Sequence, residues 1–184
     1  MSRYRLQKSL VMIGMMGAGK TAVGMALARL LGVPFVDSDA EIEAAANQSV
    51  TELFEEFGEP FFREKEALVL ARLLDGPAKV LSTGGGAFLH ENNRAMIAEK
   101  GLSIWLKADR AILWSRVRHK TTRPLLQVPD PQARLYQLLD EREPIYRQCA
   151  LIVEAEPQLS VNEMAQKVLQ AVLDHPSGLL KQVA

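Results

Sequence analysis

Gly14-Met15-Met16-Gly17-Ala18-Gly19-Lys20-Thr21 decides the reading of this chain. The stretch fits G-x-x-x-x-G-K-[ST], a loop that wraps phosphate groups. Residues 10–13 just before it form a short apolar run suited to a buried strand, and residues 20–31 after it carry a helical pattern. A strand–loop–helix setting is what this motif requires. Its glycines let the backbone curl until several N–H groups point into one hollow. The helix start adds a partial positive charge there. Lys20 has the reach for β- and γ-phosphates, and the Thr21 hydroxyl is a ligand for Mg²⁺.

Outward from the loop, helix and strand signals alternate. Gly32 stops the first helix, and 33–36 reads as a second strand ending at Asp37. A helix over 39–46 follows. Ser49-Val50-Thr51-Glu52 has capping-box spacing and opens another helix, which Gly58 ends. Pro60 suits the first turn of a longer helix to about residue 74. A third strand over 79–83 runs into Gly84-Gly85-Gly86, then come a helix over 91–100, a strand over 102–106 and a helix capped by Asp109. Residues 119–131 are polar, basic and proline-bearing, and read as a loop or lid. A helix over 132–149, a strand over 151–153 and a helix opened by the capping box Ser160-Val161-Asn162-Glu163 complete the order. The tail over 175–184, with Pro176 and Gly178, is expected to be loose. Such alternation implies an α/β fold, a mostly parallel sheet with helices on both faces.

The whole chain sets bounds on this reading. Its 184 residues suggest one domain, long enough for a real core. Twenty-two basic and 22 acidic residues cancel, so no global field recruits nucleic acid or an acidic membrane. The lone Cys149 excludes an internal disulfide framework and suits a reducing cytosol. Arg3, Arg5 and Lys8 precede an apolar stretch in the manner of a signal peptide, but Gly14 and Gly17 break that stretch and Lys20 follows. No apolar run approaches the ~20 residues that span a bilayer. A cytoplasmic protein is expected.

In a doubly wound sheet, ligands sit outside the carboxyl ends of the strands. Three features fall there: the loop itself, Asp37-Ser38-Asp39 and Gly84–Gly86. The paired carboxylates suit two roles, one helping to hold Mg²⁺ and the other accepting a proton from an attacking hydroxyl. Asp39 is also placed to cap the next helix. Three consecutive glycines carry an entropic cost and let backbone N–H groups approach a ligand, although a plain tight turn would use them too. Ser82, just before them, is within reach of a water on Mg²⁺. Arg63, Arg142 and the group Arg116, Arg118 and Arg123 supply cations. A carboxylate-bearing acceptor needs a bidentate clamp, and phosphoryl transfer needs a cation over the moving group under a closing lid. Any one arginine is ordinarily a solvated surface group; the ensemble is the signal.

With these residues gathered, the chain resembles the shikimate kinases over about residues 8–173. The matching pieces are Gly14-x-x-Gly17-x-Gly19-Lys20-Thr21, Asp37-Ser38-Asp39, Phe62-Arg63-x-x-Glu66, Ser82-Thr83-Gly84-Gly85-Gly86, Arg123-Pro124-Leu125-Leu126 and Arg142-x-Pro144-x-Tyr146-Arg147. The resemblance implies a three-layer P-loop NTPase fold of nucleoside monophosphate kinase type. It has a five-stranded parallel sheet, a substrate-binding helical region over about 38–66 and a lid over about 116–130. It implies ATP-dependent phosphorylation of the 3-hydroxyl of shikimate, on the way to chorismate and the aromatic amino acids, by a monomer. Lys20, Asp39 and Arg123 would be catalytic. Gly17, Ala18, Gly19, Lys20, Thr21, Ala22, Arg116 and Arg123 would hold ATP. Asp39, Arg63, Gly84, Gly85, Gly86 and Arg142 would hold shikimate. Thr21 would ligate Mg²⁺, with Asp37 and Ser82 reaching it through water. One departure stands out: the loop after the last strand, 153–160, lacks the arginine that flanks adenine in the family.

Rival readings remain on the same scaffold. A gluconate kinase shares the loop but not the triple glycine with two spaced arginines. No Asn-Lys-x-Asp guanine motif occurs, and no apolar strand ends in Asp-Glu, which disfavours a GTPase and an ATPase motor. A catalytically dead nucleotide-binding regulatory module would not need Lys20, Thr21 and Asp39 together.

Overall fold

A computed structural model describes residues 4–183. Its main sheet has five parallel strands in the order β3-β4-β2-β5-β6. These are β2 (Ser9–Ile13), β3 (Phe35–Asp37), β4 (Val80–Ser82), β5 (Gly101–Lys107) and β6 (Leu151–Glu154). The central strands β2, β4 and β5 are buried on both faces, while the edge strands β3 and β6 are only partly covered. Leu10, Val11, Met12 and Ile13 are all essentially inaccessible. Their alternation divides them between two cores. Leu10 and Met12 join α1 (Lys20–Leu31) and α7 (Val161–Asp174) on one face. Val11 and Ile13 meet the other layer, which holds α3 (Val50–Asp75), α4 (Glu91–Lys100), α5 (Arg110–Val117) and α6 (Pro131–Tyr146). The expected α/β fold with helices on both faces is the one observed.

Strand order explains where the site lies. From β2 the chain goes outward to β3, returns to β4 beside β2, then crosses to β5 on the other side. The loop after β2 therefore opens at the point where the winding reverses, the place where such sheets hold ligands. The register sets Asp37 beside Ser82 and Ser82 beside Met12, so three loops leave the sheet from one level.

Helix α2 (Ser38–Ala46) starts one residue earlier than the sequence suggests, because Asp37 itself is the cap and accepts from the Asp39 and Ala40 N–H groups. The two helices expected around Gly58 run as one bent element. Gly58 sits at φ 80°, ψ 170° and breaks the helical path two residues before Pro60. Both expected capping boxes, at Ser49 and Ser160, are formed. Asp109 occupies the cap position of α5, but its side chain accepts no capping hydrogen bond. Helix α6 stops at Tyr146, short of the expected residue 149.

The tail differs from expectation. Leu180–Gln182 (β7) pairs antiparallel with Tyr4–Leu6 (β1), a two-stranded sheet with no counterpart in the sequence reading. Leu180 is buried in the core of α1 and α7, and that anchors the segment. Arg3 and Ala184, part of the sequence reading, lie outside the described residues. Among the described residues, no helix is long and apolar enough to cross a membrane.

Candidate active site

The loop between β2 and α1 takes a path only glycines adopt without strain, with φ at 134° for Gly14, 83° for Gly17 and 95° for Gly19. Lys20 folds back over it. Its ammonium donates to the Gly14 and Met15 carbonyls at 2.8 and 2.9 Å. Burial lowers the Lys20 pKa to about 8; Asp39 pulls it back up, while Arg123 adds to the lowering. Arg116, on α5, caps the loop from outside by donating to the Gly17 carbonyl at 3.0 Å.

Thr21 and Asp37 meet directly, hydroxyl to carboxylate, at 3.0 Å. The other Asp37 oxygen accepts the Asp39 and Ala40 N–H groups at 2.9 and 3.2 Å. The capping role that the sequence left open for Asp39 thus belongs to Asp37, and the Asp39 carboxylate is left free. One of its oxygens, Oδ1, is buried without a hydrogen-bond partner. Burial raises the Asp39 pKa to about 6, Asp37 adds to that, and Lys20 and Arg63 oppose it.

The triple glycine follows β4. Side-chain atoms occupy the space that Cβ atoms there would need. A Cβ on Gly84 would lie 2.9 Å from Asp39 Oδ1 and 3.3 Å from Glu66 Oε2. One on Gly85 would lie 3.0 Å from Arg142 Nη1, and one on Gly86 only 2.5 Å from Arg63 Cζ. Arg63 is held on two sides, by Glu66 at 2.9 Å and Glu59 at 3.1 Å, and its guanidinium lies over the Phe62 and Phe54 rings. Burial lifts the Glu66 carboxyl to about 7 against the pull of Arg63. Arg142 is 4% exposed; it donates to Met15 Sδ at 3.9 Å, lies against the Tyr146 hydroxyl, and forms no ion pair among the described residues.

Two hollows meet here. The larger, about 790 Å³, runs along the loop from Gly17 to Val23 past Asp37, Ser82, Arg116 and Lys120 to Ala155, Glu156 and Leu159. The smaller, about 70 Å³, is enclosed by Phe54, Phe62, Arg63, Glu66, Gly86, Pro124, Leu125 and Arg142. Met16, Asp39, Gly84, Gly85 and Arg123 line both. Arg123 Nε is buried and unpartnered at this junction.

The residues expected to hold ATP, Mg²⁺ and the acceptor border these two hollows: Gly17, Ala18, Gly19, Lys20, Thr21, Ala22, Asp37, Ser82, Arg116 and Arg123 along the larger, with Asp39, Arg63, Gly84–Gly86 and Arg142 at the smaller. Arg118 borders neither. Sequence reasoning gave no role to Glu66, although its i,i+3 spacing from Arg63 was a readable signal. It also missed Phe54 and Lys120, which lie in no motif, and Met16, which fills a variable position of the phosphate loop. Tyr146 stood in the quoted pattern without a task; in the structure its hydroxyl donates to the Gly85 carbonyl.

Comparison with known proteins agrees with this geometry. The family described as shikimate kinase matches residues 16–173. A shikimate kinase of Cereibacter sphaeroides is 59% identical over 175 residues, 95% of this chain and 87% of that relative. One of Ruegeria pomeroyi is 59% identical over 167 residues, 91% of this chain and 86% of the relative. Among solved structures, shikimate kinase from Acinetobacter baumannii in complex with shikimate superposes with a TM-score of 0.88 at 39% identity, covering 92% of this chain and 94% of that one.

Proposed function

The chain belongs to the shikimate kinase family, and from that premise we propose that it transfers the γ-phosphoryl group of ATP to the 3-hydroxyl of shikimate, giving shikimate 3-phosphate and ADP. The observation that carries the reading is the junction of the two hollows. There Asp39 Oδ1 and Arg123 Nε are buried without a hydrogen-bond partner, and the buried Arg142 has no carboxylate paired with it among the described residues. A polyphosphate on one side and a small hydroxylated carboxylate on the other would supply those partners.

Each residue has a task in this scheme. Gly17, Ala18, Gly19, Lys20, Thr21 and Ala22 hold the phosphates through backbone N–H groups and the ammonium, with Arg116 against the loop. Arg142 and Arg63 take the carboxylate of shikimate, and Gly84–Gly86 let the ring approach the backbone. Asp39 accepts a hydrogen bond from the attacking hydroxyl. Its raised pKa, about 6, leaves it ionised near neutral pH and able to receive the proton as the phosphoryl group moves. Lys20 and Arg123 face the charge that spreads over the transferring oxygens. The reacting groups are brought together in a preorganised site, and that positioning supplies most of the acceleration expected for such a loose transition state.

The Thr21 hydroxyl and Asp37 carboxylate, 3.0 Å apart and beside Ser82, form an oxygen-donor corner that fits Mg²⁺, an ion that takes few protein ligands and completes its shell with phosphate and water. When bound, the ion would neutralise phosphate charge. The 38–66 segment serves as the acceptor-binding region and 116–130 as the lid. The enzyme acts on small molecules as a cytoplasmic monomer, with neither nucleic acid nor membrane as partner. A coupled assay of ADP release with shikimate, gluconate or water as acceptor tests the reading. Release with shikimate alone is expected; equal release with gluconate or with water would overturn it.

A further inference from the structure

Glycines have no side chains to anchor them, so the Gly84–Gly86 loop must be fixed through its backbone. Its carbonyls are all engaged. Gly84 accepts from Ala87 N–H at 3.2 Å, Gly86 accepts from Leu89 N–H at 3.1 Å, and Gly85 accepts from the Tyr146 hydroxyl. The N–H groups of Gly85 and Gly86, by contrast, donate to no acceptor among the described residues. The peptide joining Gly85 and Gly86 is trans, so its carbonyl and its N–H point in opposite directions. Tyr146 is fully buried against Trp105, with ring centroids 5.6 Å apart, and it draws the carbonyl into the core. The Gly86 N–H is thereby turned away from Tyr146, and Gly86 lines the hollow that it shares with Arg63.

The same helix face does a second thing. Arg142 and Tyr146 are four residues apart on α6 and lie on one face. Both reach Met15 Sδ, at 3.9 and 3.8 Å, and both lie against Gly85. Tyr146 thus ties a carbonyl of the glycine loop and a residue of the phosphate loop to one buried hydroxyl, which also lies against the Arg142 guanidinium.

We infer that Tyr146 is a positioning residue for the phosphoryl acceptor: its hydroxyl fixes the Gly85–Gly86 peptide so that the Gly86 N–H donates to an oxygen of the bound acceptor. The inference rests on the reading of Gly84–Gly86 as part of the shikimate site. Tyr146→Phe keeps the ring and its contact with Trp105 and removes the hydroxyl, and with it the latch and the contacts with Met15 and Arg142. The expected result is a rise of roughly tenfold in KM for shikimate, the scale of one lost hydrogen bond, with KM for ATP unchanged within about twofold. A variant impaired equally toward both substrates, or toward neither, would overturn it.

The Gly86 amide, observed by NMR in glycine-labelled protein, separates the two ideas. In the unaltered protein its resonance should move on titration with shikimate, and in Tyr146→Phe the movement should shrink. An amide indifferent to shikimate in the unaltered protein overturns the acceptor-site reading and the latch with it. An amide that responds alike in both proteins overturns the latch alone. A fluorinated tyrosine at 146, which keeps the hydroxyl and strengthens it as a donor, should change the shikimate-induced movement; no change would count against the latch.

Discussion

Replacing Asp39 with asparagine should make the ligand-free protein more stable while disabling it. The carboxyl is raised from 3.8 to about 6, mainly by burial and then by Asp37. At 1.36 kcal/mol per pH unit, the charge costs the fold about 3 kcal/mol once both folded and unfolded chains are ionised. The sign follows from the direction. A group that binds its proton more tightly when folded gives stability that is complete below 3.8 and lost as pH rises through about 6. Asparagine imitates the protonated acid at every pH. Its buried amide, facing an oxygen site that already lacks a partner, returns about 1 kcal/mol of the gain. The net expectation near pH 8 is a variant about 2 kcal/mol more stable, or roughly 4–8 °C in Tm for a chain of this size. Near pH 4 the charge term falls below about 1 kcal/mol, so the advantage disappears. Urea melts of both proteins at the two pH values, without ligands, measure this, and a turnover assay shows the loss of activity. A variant no more stable than the parent near pH 8, or a gain that persists undiminished in acid, would refute the account of Asp39 as a strained, unsatisfied charge.

Three further substitutions test the remaining roles. Lys20→Ala should raise the barrier by roughly 2.7–4 kcal/mol, the cost of one preorganised donor; near-normal turnover would remove Lys20 from the mechanism. Arg142→Ala should weaken shikimate binding far more than ATP binding, because a buried carboxylate partner is lost, and calorimetric titration of each ligand would expose equal weakening as a contradiction. Arg123→Ala should lower kcat while sparing shikimate affinity; a variant whose sole defect is shikimate affinity would take Arg123 off the phosphates.

The phosphate loop and the triple glycine were legible because glycine, lysine and threonine at fixed spacing have few other uses. Helix ends were legible where a capping box or a Gly–Pro pair marked them, as at Ser49, Gly58 and Ser160. The assignment of the cap at α2 was not. Asp37 and Asp39 are the same residue type two positions apart, and only the backbone path decides which carboxylate is consumed by N–H groups and which stays free. The β1–β7 pairing was hidden for another reason. Three-residue strands carry no period, and what anchors β7 is a tertiary contact, Leu180 in the core of α1 and α7. Glu66 had a visible spacing from Arg63, but its burial, which raises its pKa, is a property of the packed helix and not of the pattern.

The structure also breaks a symmetry that the sequence could not. Arg63 and Arg142 enter as equivalent candidates for one carboxylate. In the folded protein Arg63 already has two carboxylate partners and two aromatic faces, so its charge is largely matched before any ligand arrives. Arg142 is more deeply buried, and its partners, the Met15 thioether and the Tyr146 hydroxyl, carry no charge and do little to offset the desolvation of a guanidinium. Its charge contributes instead to holding the Lys20 pKa down. A bound carboxylate therefore changes the state of Arg142 more than that of Arg63. For Arg142 it replaces an unfavourable burial with a charge-assisted pair, whereas Arg63 already has its carboxyl partners in Glu59 and Glu66. Differential stabilisation of this kind, and not the number of contacts, decides which residue carries affinity. On that ground Arg142 is the principal carboxylate anchor, and Arg63, held rigid by its glutamates, fixes the direction from which the acceptor enters.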